Sequence, residues 1–244
     1  MKQKRINLVV MLLISINCIS QDIGFKAIYG IKTEIDFGKI RDKDTINILM
    51  LKKILNNTND PSNVKFELLF NNEASIFSFK FGLNSTSSKI DLASIQANQI
   101  GKIYTNFKTK EIIQQKEIFG EVFRIRSSLE DYHWQLINEK MQFGEYTVYK
   151  AIDIDPKSRI NKITEAWYAP EIKISTGPLG FGGLPGLIVI LKNDIFTYYL
   201  EQLSSDFKNN IFLPKKGKLV LIKEYDSIYD VLYARKEQLE MDKH

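Results

Sequence analysis

The side chains that most often carry enzymatic chemistry are scarce in this sequence. It holds one cysteine, Cys18, and two histidines, His133 and His244. One interior histidine and one cysteine near the N-terminus cannot assemble the His/Cys sets that hold zinc, so neither a metal nor another cofactor is expected. A Ser-His-Asp hydrolase would depend on His133, beside Trp134, and the chain contains no Gly-x-Ser-x-Gly turn to present a nucleophile. No catalytic residue is assigned on these grounds. Carboxylates are harder to set aside. Asp153-Ile154-Asp155 puts two acids on one strand face ahead of Pro156, a spacing that could bind Ca²⁺ or act on a glycosidic bond. The same residues also suit a polar strand end entering a turn. Glu165, beside Trp167 and Tyr168, is a further isolated acid. A metal-independent hydrolase using Asp and Glu therefore stands as the alternative to a non-enzymatic module.

The most distinctive spacing belongs to glycine. Gly177, Gly180, Gly182, Gly183 and Gly186 are five of the chain's 13 glycines, and Pro178 and Pro185 lie among them. Such a segment needs positive φ or close backbone approach at several points, with proline limiting its slack. Leu184-Pro185-Gly186-Leu187 fits a type II turn, which would put Gly186 at positive φ and make Asn milder than Val there. The run 187–191 then reads as a strand buried on both faces. A phosphate cradle does not fit. Gly180-Phe181-Gly182 begins like a dinucleotide fingerprint, but Pro185 occupies the third glycine position and a strand follows where a helix is required. Trp134, Trp167, Tyr168 and Phe181, together with Gly182, Gly183, Leu184, Pro185 and Gly186, are the candidates for a ligand- or partner-binding groove, and core filling is the competing role for the aromatics.

The string Gly183-Leu184-Pro185-Gly186-Leu187-Ile188 resembles the signature of the GLPGLI family, exported proteins of Bacteroidetes-type bacteria without an established activity. The approach to it is similar to that family as well, through Ala166-Trp167-Tyr168, Pro170, Ile172, Ile174-Ser175, Gly177-Pro178 and Phe181. So is the stretch from Trp134 through Ile137, Glu139 and Lys140 to Gly144-Glu145-Tyr146 and Lys150-Ala151. Many members carry cysteine two residues before the Lys-Ala pair, where Val148 stands here, so no thiol role carries over. The resemblance spans residues 134–191 and implies an exported, β-rich protein of unknown activity.

The elements that would position these residues can be read from patterning. Lys2, Lys4 and Arg5 precede an apolar run over residues 8–16, and Cys18-Ile19-Ser20 leads to Gln21, as in a secretory signal peptide cut after Ser20. Lipoprotein processing at Cys18 is the weaker alternative, because Asn17 stands where a small residue is needed. Removing residues 1–20 takes away three of the 34 basic residues, leaving 31 against 29 acidic ones. With no basic run remaining, nucleic acid is not an expected partner. No later segment is long and apolar enough for a membrane-spanning helix.

Residues 21–244 are expected to form one β-rich domain. Runs rich in β-branched and aromatic residues occur at 25–37, 64–70, 74–81, 103–107, 111–117, 121–126, 134–139, 145–153, 162–168, 187–192, 196–202 and 219–224. Turns fall at Asn71-Asn72, Phe119-Gly120 and Phe143-Gly144. Helices are expected at 45–55, capped by Asp44, and after Asp226, with Ile228, Val231, Leu232 and Leu239 on one face. Residues 84–98 read as a loop or short helix. The fold class is mainly β (β-rich α+β), a large curved antiparallel meander sheet with two or three covering helices, lipoprotein-carrier-like by analogy. The expected function is that of an exported binding or accessory module, in the periplasm or at the outer membrane. Its ligand would be apolar or peptide-like, or an envelope protein. Oligomeric state is not specified by the pattern.

Overall fold

The computed structural model describes residues 24–33, 65–80, 101–118, 120–154, 163–193, 196–207 and 210–241. The expected signal peptide with Cys18, the helix at 45–55, the segment 84–98, Phe119, Asp155 and His244 lie outside them.

Among the described residues, twelve strands form a single sheet. They are β1 (Gly24–Thr33), β2 (Lys65–Phe70), β3 (Ala74–Lys80), β4 (Lys102–Asn106), β5 (Glu111–Ile118) and β6 (Glu121–Ser128). The second six are β7 (Trp134–Phe143), β8 (Tyr146–Ile154), β9 (Ile163–Ala169), β10 (Leu187–Asn193), β11 (Phe196–Phe207) and β12 (Lys218–Leu221). One helix, α1 (Ile222–Met241), follows β12. The spatial order is β12-β6-β5-β4-β3-β2-β1-β11-β10-β9-β8-β7. Two antiparallel meanders, β1 to β6 and β7 to β11, are thus joined along β1 and β11, and β12 adds in parallel to β6. The sheet is mixed at that one pairing, where the sequence suggested antiparallel strands throughout.

The sheet must curl. Strands β6 and β7 are ten places apart in the order, which in a flat sheet would separate them by about 48 Å. Yet only residues 129–133 connect Ser128 to Trp134, a reach of at most about 22 Å. That short bridge is well built. Its 3-10 turn, Leu129–Asp131, has a reciprocal cap: Glu130 N donates to Ser128 Oγ, and Ser128 N donates to Asp131 Oδ2 at 2.9 Å.

Alternation decides what lines the concave face. In β2, Phe66, Leu68 and Phe70 are buried while Lys65, Glu67 and Leu69 are less so. The register continues this face through Tyr29, Phe77, Ile103 and Ile112 on one wall, and through Tyr198, Leu191, Ala166 and Ala151 on the other. Aromatic rings dominate where the two meanders meet: Phe66 stacks on Phe77 at 5.3 Å and meets Tyr198 edge-on at 5.4 Å. Tyr29, fully buried, donates its hydroxyl to Ile188 O at 2.7 Å across that junction.

A smaller second core lies at the β12 end. Phe123 and Ile125 of β6, Val220 of β12 and Tyr225 of α1 bury one another, with Ile118 and Ile228 alongside. Two details depart from the helical reading of the sequence. The helix begins at Ile222, so Asp226 lies inside it and does not cap it. Tyr225 and Ile228 face the sheet, whereas Val231 is 67% exposed. A strand running directly into a helix without a polar break conceals the boundary from pattern reading.

Candidate functional site

The segment between β9 and β10 enters the concavity and touches both walls. Thr176 Oγ1 and Ser75 Oγ of β3 share a buried hydrogen bond of 2.9 Å. Further on, a Cβ at Gly180 would press on Ile103 and Ile112 of β4 and β5. On the opposite wall, Trp134 at the head of β7 donates its indole N–H to Gly182 O at 2.7 Å. The segment folds back on itself through a Thr176–Gly182 bridge around a tight turn at Pro178–Gly180, where Leu179 and Gly180 both take positive φ. Gly183, at φ 87°, then donates its N–H to Ser175 Oγ at 2.8 Å. The glycines permit this compact path because most positions along it have no room or no sterically allowed conformation for a Cβ.

Gly186 differs from the expectation. It does not adopt positive φ, and its N–H donates to Leu184 O at 2.9 Å, which closes a three-residue turn where a type II turn was expected. What requires glycine there is proximity. A Cβ would meet the Ala169 carbonyl and lie 2.6 Å from the Ala169 carbonyl carbon and 2.9 Å from Pro170 Cα. Sequence alone could not separate these two uses of glycine.

The candidate residues divide into three places. Trp134 and Phe181 come together with Tyr132, whose ring stacks on Phe181 at 4.6 Å while Trp134 approaches Phe181 edge-on at 6.1 Å. Gly182 and Gly183 complete this cluster. Leu184, buried, and Pro185, exposed, form with Gly186 one side of a depression whose other side is Lys173, Ile174 and Ser175. Trp167 is elsewhere. The register pairs Lys150 with Trp167 and Asp153 with Thr164, so Trp167 projects from the convex face while Trp134 sits on the concave one. There its indole N–H donates to Glu165 Oε1 at 3.0 Å, and Lys150 pairs with Glu139 at 3.1 Å and Glu165 at 3.4 Å. The hydrogen bond to Glu139 holds the Lys150 ammonium charged above its usual range. Tyr168 is buried on the inner face beside Tyr149, and burial pushes its hydroxyl pKa upward.

The acid singled out for carboxylate chemistry has a local task. Asp153 is 7% exposed, and its Oδ1 accepts the backbone N–H of His133 at 2.6 Å, holding the short bridge against β8. Burial raises the Tyr132 hydroxyl pKa well above its ordinary value, and the charges of Asp153 and Asp131 add to the effect. Among the described residues, no three His, Cys, Asp or Glu side chains are grouped as a metal ion would need.

Two depressions adjoin. The first, about 280 Å³, has the lining just given. The second, about 230 Å³, is lined by Phe25, Phe70, Asn71, Asn72 and Ile172, and again by Lys173 and Ile174. Its floor includes the stacked Phe25–Phe70 pair, 5.3 Å apart. Asn71 is fixed by accepting the N–H groups of Glu73 and Ala74, each at 2.9 Å. Lys173 and Ile174 line both hollows. Asn71-Asn72 was legible as a turn, but its approach to Lys173 depends on the curl of the sheet.

A family model described as a protein of unknown function (Porph_ging) matches residues 157–190, a stretch that includes β9, the glycine-rich segment and the start of β10. No curated protein matches the chain. Among solved structures, PNGF-II in its C2 crystal form is similar with a TM-score of 0.51 and 15% identity, over 84% of this chain and 32% of that one. The P21 form gives 0.50 and 15%, over 84% and 33%. The chain therefore spans about a third of the length of PNGF-II, and the likeness is one of β-rich fold. Among the described residues no helix is long and apolar enough to cross a membrane.

Proposed function

We propose that the chain is an exported, non-enzymatic binding module of the GLPGLI kind, acting in the periplasm or at the outer membrane. It would hold an extended, peptide-like segment, free or part of an envelope protein, along the two hollows that meet at Lys173 and Ile174. The observation that carries this reading is the adjacency of those hollows: Lys173 and Ile174 line both, and Leu184-Pro185-Gly186 forms the wall of one. Each is smaller than the roughly 300–1,000 Å³ that engulfs a drug-sized ligand. A trough with apolar floor positions at Phe25, Phe70 and Ile174 and a polar rim of Asn71, Asn72, Lys173 and Ser175 suits a chain lying across it.

The test uses a fluorescently labelled extended peptide of alternating Leu and Ser, followed by anisotropy. Binding by the parent protein and its loss in Ile174→Asp, measured at a temperature where circular dichroism shows both folded, is the expected result. Equal binding by both proteins, or none by the parent, would remove the trough from consideration. The address is checked separately by N-terminal sequencing of the protein recovered from its native host, where a mature end at Gln21 is expected and a retained Met1 would contradict export.

A further inference from the structure

The charge along the two hollows has one sign. Lys173 borders both of them, and among the described residues no acid belongs to the lining of either. The backbone fixes where this lysine stands. Ile174 N donates to Ile172 O at 2.7 Å, which makes a tight turn with Lys173 at its apex, and Leu187 N donates to the same carbonyl at 3.2 Å. Ile172 and Ile174 pack against the main core on either side of the apex, whereas Lys173 is exposed. Among the described residues no carboxylate forms an ion pair with it. Glu171, the acid nearest in sequence, is engaged elsewhere: its Oε1 accepts the backbone N–H of Thr147 at 3.2 Å. Glu73, just beyond Asn72, lies outside both linings.

The polar side chains around Lys173 are left with donors. Asn71 Oδ1 already accepts two backbone N–H groups, from Glu73 and Ala74, so its carboxamide has N–H to offer a ligand. Ser175 Oγ accepts the Gly183 N–H at 2.8 Å, which leaves its own O–H to donate. An ammonium only donates. We infer, on the reading of the trough given above, that the segment it holds carries an acidic side chain, Asp or Glu, seated at Lys173 and flanked by apolar residues. An ionised carboxylate accepts and never donates, which complements this set of donors, and its bond to an ammonium is charge-assisted. The carboxylate belongs to a side chain for a reason of layout. Phe25 and Phe70 lie in one hollow, Leu184 and Pro185 in the other, and Lys173 is common to both. A chain occupying both hollows passes Lys173 with residues still to follow, whereas a C-terminal carboxylate seated there would leave one hollow empty.

Four peptides test this, each with an uncharged coumarin label at the N-terminus and alternating Leu and Ser. Three have an amidated C-terminus and carry Ser, Asp or Lys at the centre. The fourth keeps the central Ser and has a free C-terminal carboxylate. At low salt the parent should bind the Asp peptide about fivefold more tightly than the amidated Ser peptide, the size of one exposed charge pair. It should bind the Lys peptide more weakly than the Ser peptide. The spread should shrink at about 0.5 M NaCl, where exposed charges are screened. In Lys173→Gln the three amidated peptides should bind within about twofold of one another, and Lys173→Arg should keep the parent's order. Circular dichroism checks that both variants are folded. Equal binding of the three amidated peptides by the parent, or an Asp preference that survives Lys173→Gln, overturns the acidic segment and leaves the trough in place. A gain with the free carboxylate and none with Asp assigns the anion to a chain end and also overturns it. Failure of all four peptides to bind the parent overturns the trough and the acidic segment together.

Discussion

Gly183 and Gly186 stand three positions apart and are glycine for different reasons, which makes their substitutions diagnostic. Gly183 has φ 87° and open space: a Cβ there would have no neighbour closer than Trp134 Cδ1, at 3.7 Å. Conformation is its constraint, so Gly183→Asn should cost less than the ~1–2 kcal/mol that a left-handed φ imposes on residues with a Cβ, and Gly183→Val should cost at least that. Gly186 is limited by the Ala169 and Pro170 backbone, which cannot rotate away. Gly186→Ala should therefore lose about 1–3 kcal/mol, and Gly186→Asn no less, which reverses the ranking that a type II turn implies. Urea denaturation of the four variants checks both orders, and a mild Gly186→Asn would show that the Ala169 contact relaxes. Trp134 and Trp167 teach the same lesson about legibility. Both were visible as aromatics near the glycine-rich segment, but the face each occupies depends on pairing registers set by strands on either side.

At the scale of elements, strands were the most legible feature. The alternation of Phe123 and Ile125 against Arg124 and Arg126 foretold a half-buried β6, and the continuous apolar run 187–191 foretold a β10 buried on both faces. Helix α1 was harder, because Leu221 and Ile222 carry no signal of the change from strand to helix. Its anchor is Tyr225, whose ring meets Phe123 edge-on at 5.9 Å and whose buried hydroxyl has no hydrogen-bond partner among the described residues. Burial, helped by Tyr229 and Asp226, pushes the Tyr225 pKa from 10.0 to about 12. The sign follows from linkage. The unfolded chain ionises this group near pH 10 and the folded one only later, so its contribution to stability is complete below pH 10 and is lost as the pH rises toward 12. Tyr225→Phe keeps the ring and removes both the unpartnered hydroxyl and the titration. It should be as stable as the parent or more so at pH 7, and should lose less stability by pH 11. Thermal melts at the two pH values check this, and an equal alkaline loss in both proteins would assign the effect to other tyrosines.

At the scale of the whole molecule, the two meanders depend on one long-range seam. Each meander is built from neighbours in sequence, but β1 meets β11 across most of the chain, and the Tyr29–Ile188 hydrogen bond spans 159 positions. Strand order was the part of the fold least available to pattern reading, since nothing in the composition of β1 says that β11 will lie beside it. Non-local pairing also delays folding, because loop-closure entropy must be overcome before such contacts contribute. Pulsed hydrogen exchange should find the β2–β6 amides protected before those of β1 and β11. Tyr29→Phe should cost about 1–3 kcal/mol by leaving the Ile188 carbonyl without its donor. Simultaneous protection of seam and meander would count against this order. The seam has a mechanical side as well. Gly24 pairs with Phe207, so the chain enters β1 and leaves β11 at the same end of the pair. Tension applied between those two points would open the seam as a zipper opens, one ladder rung at a time, and would never load all the rungs in shear. A machine that drew on the chain ahead of Gly24 while β11 was held would therefore begin unravelling this sheet at its middle, with both outer edges still intact.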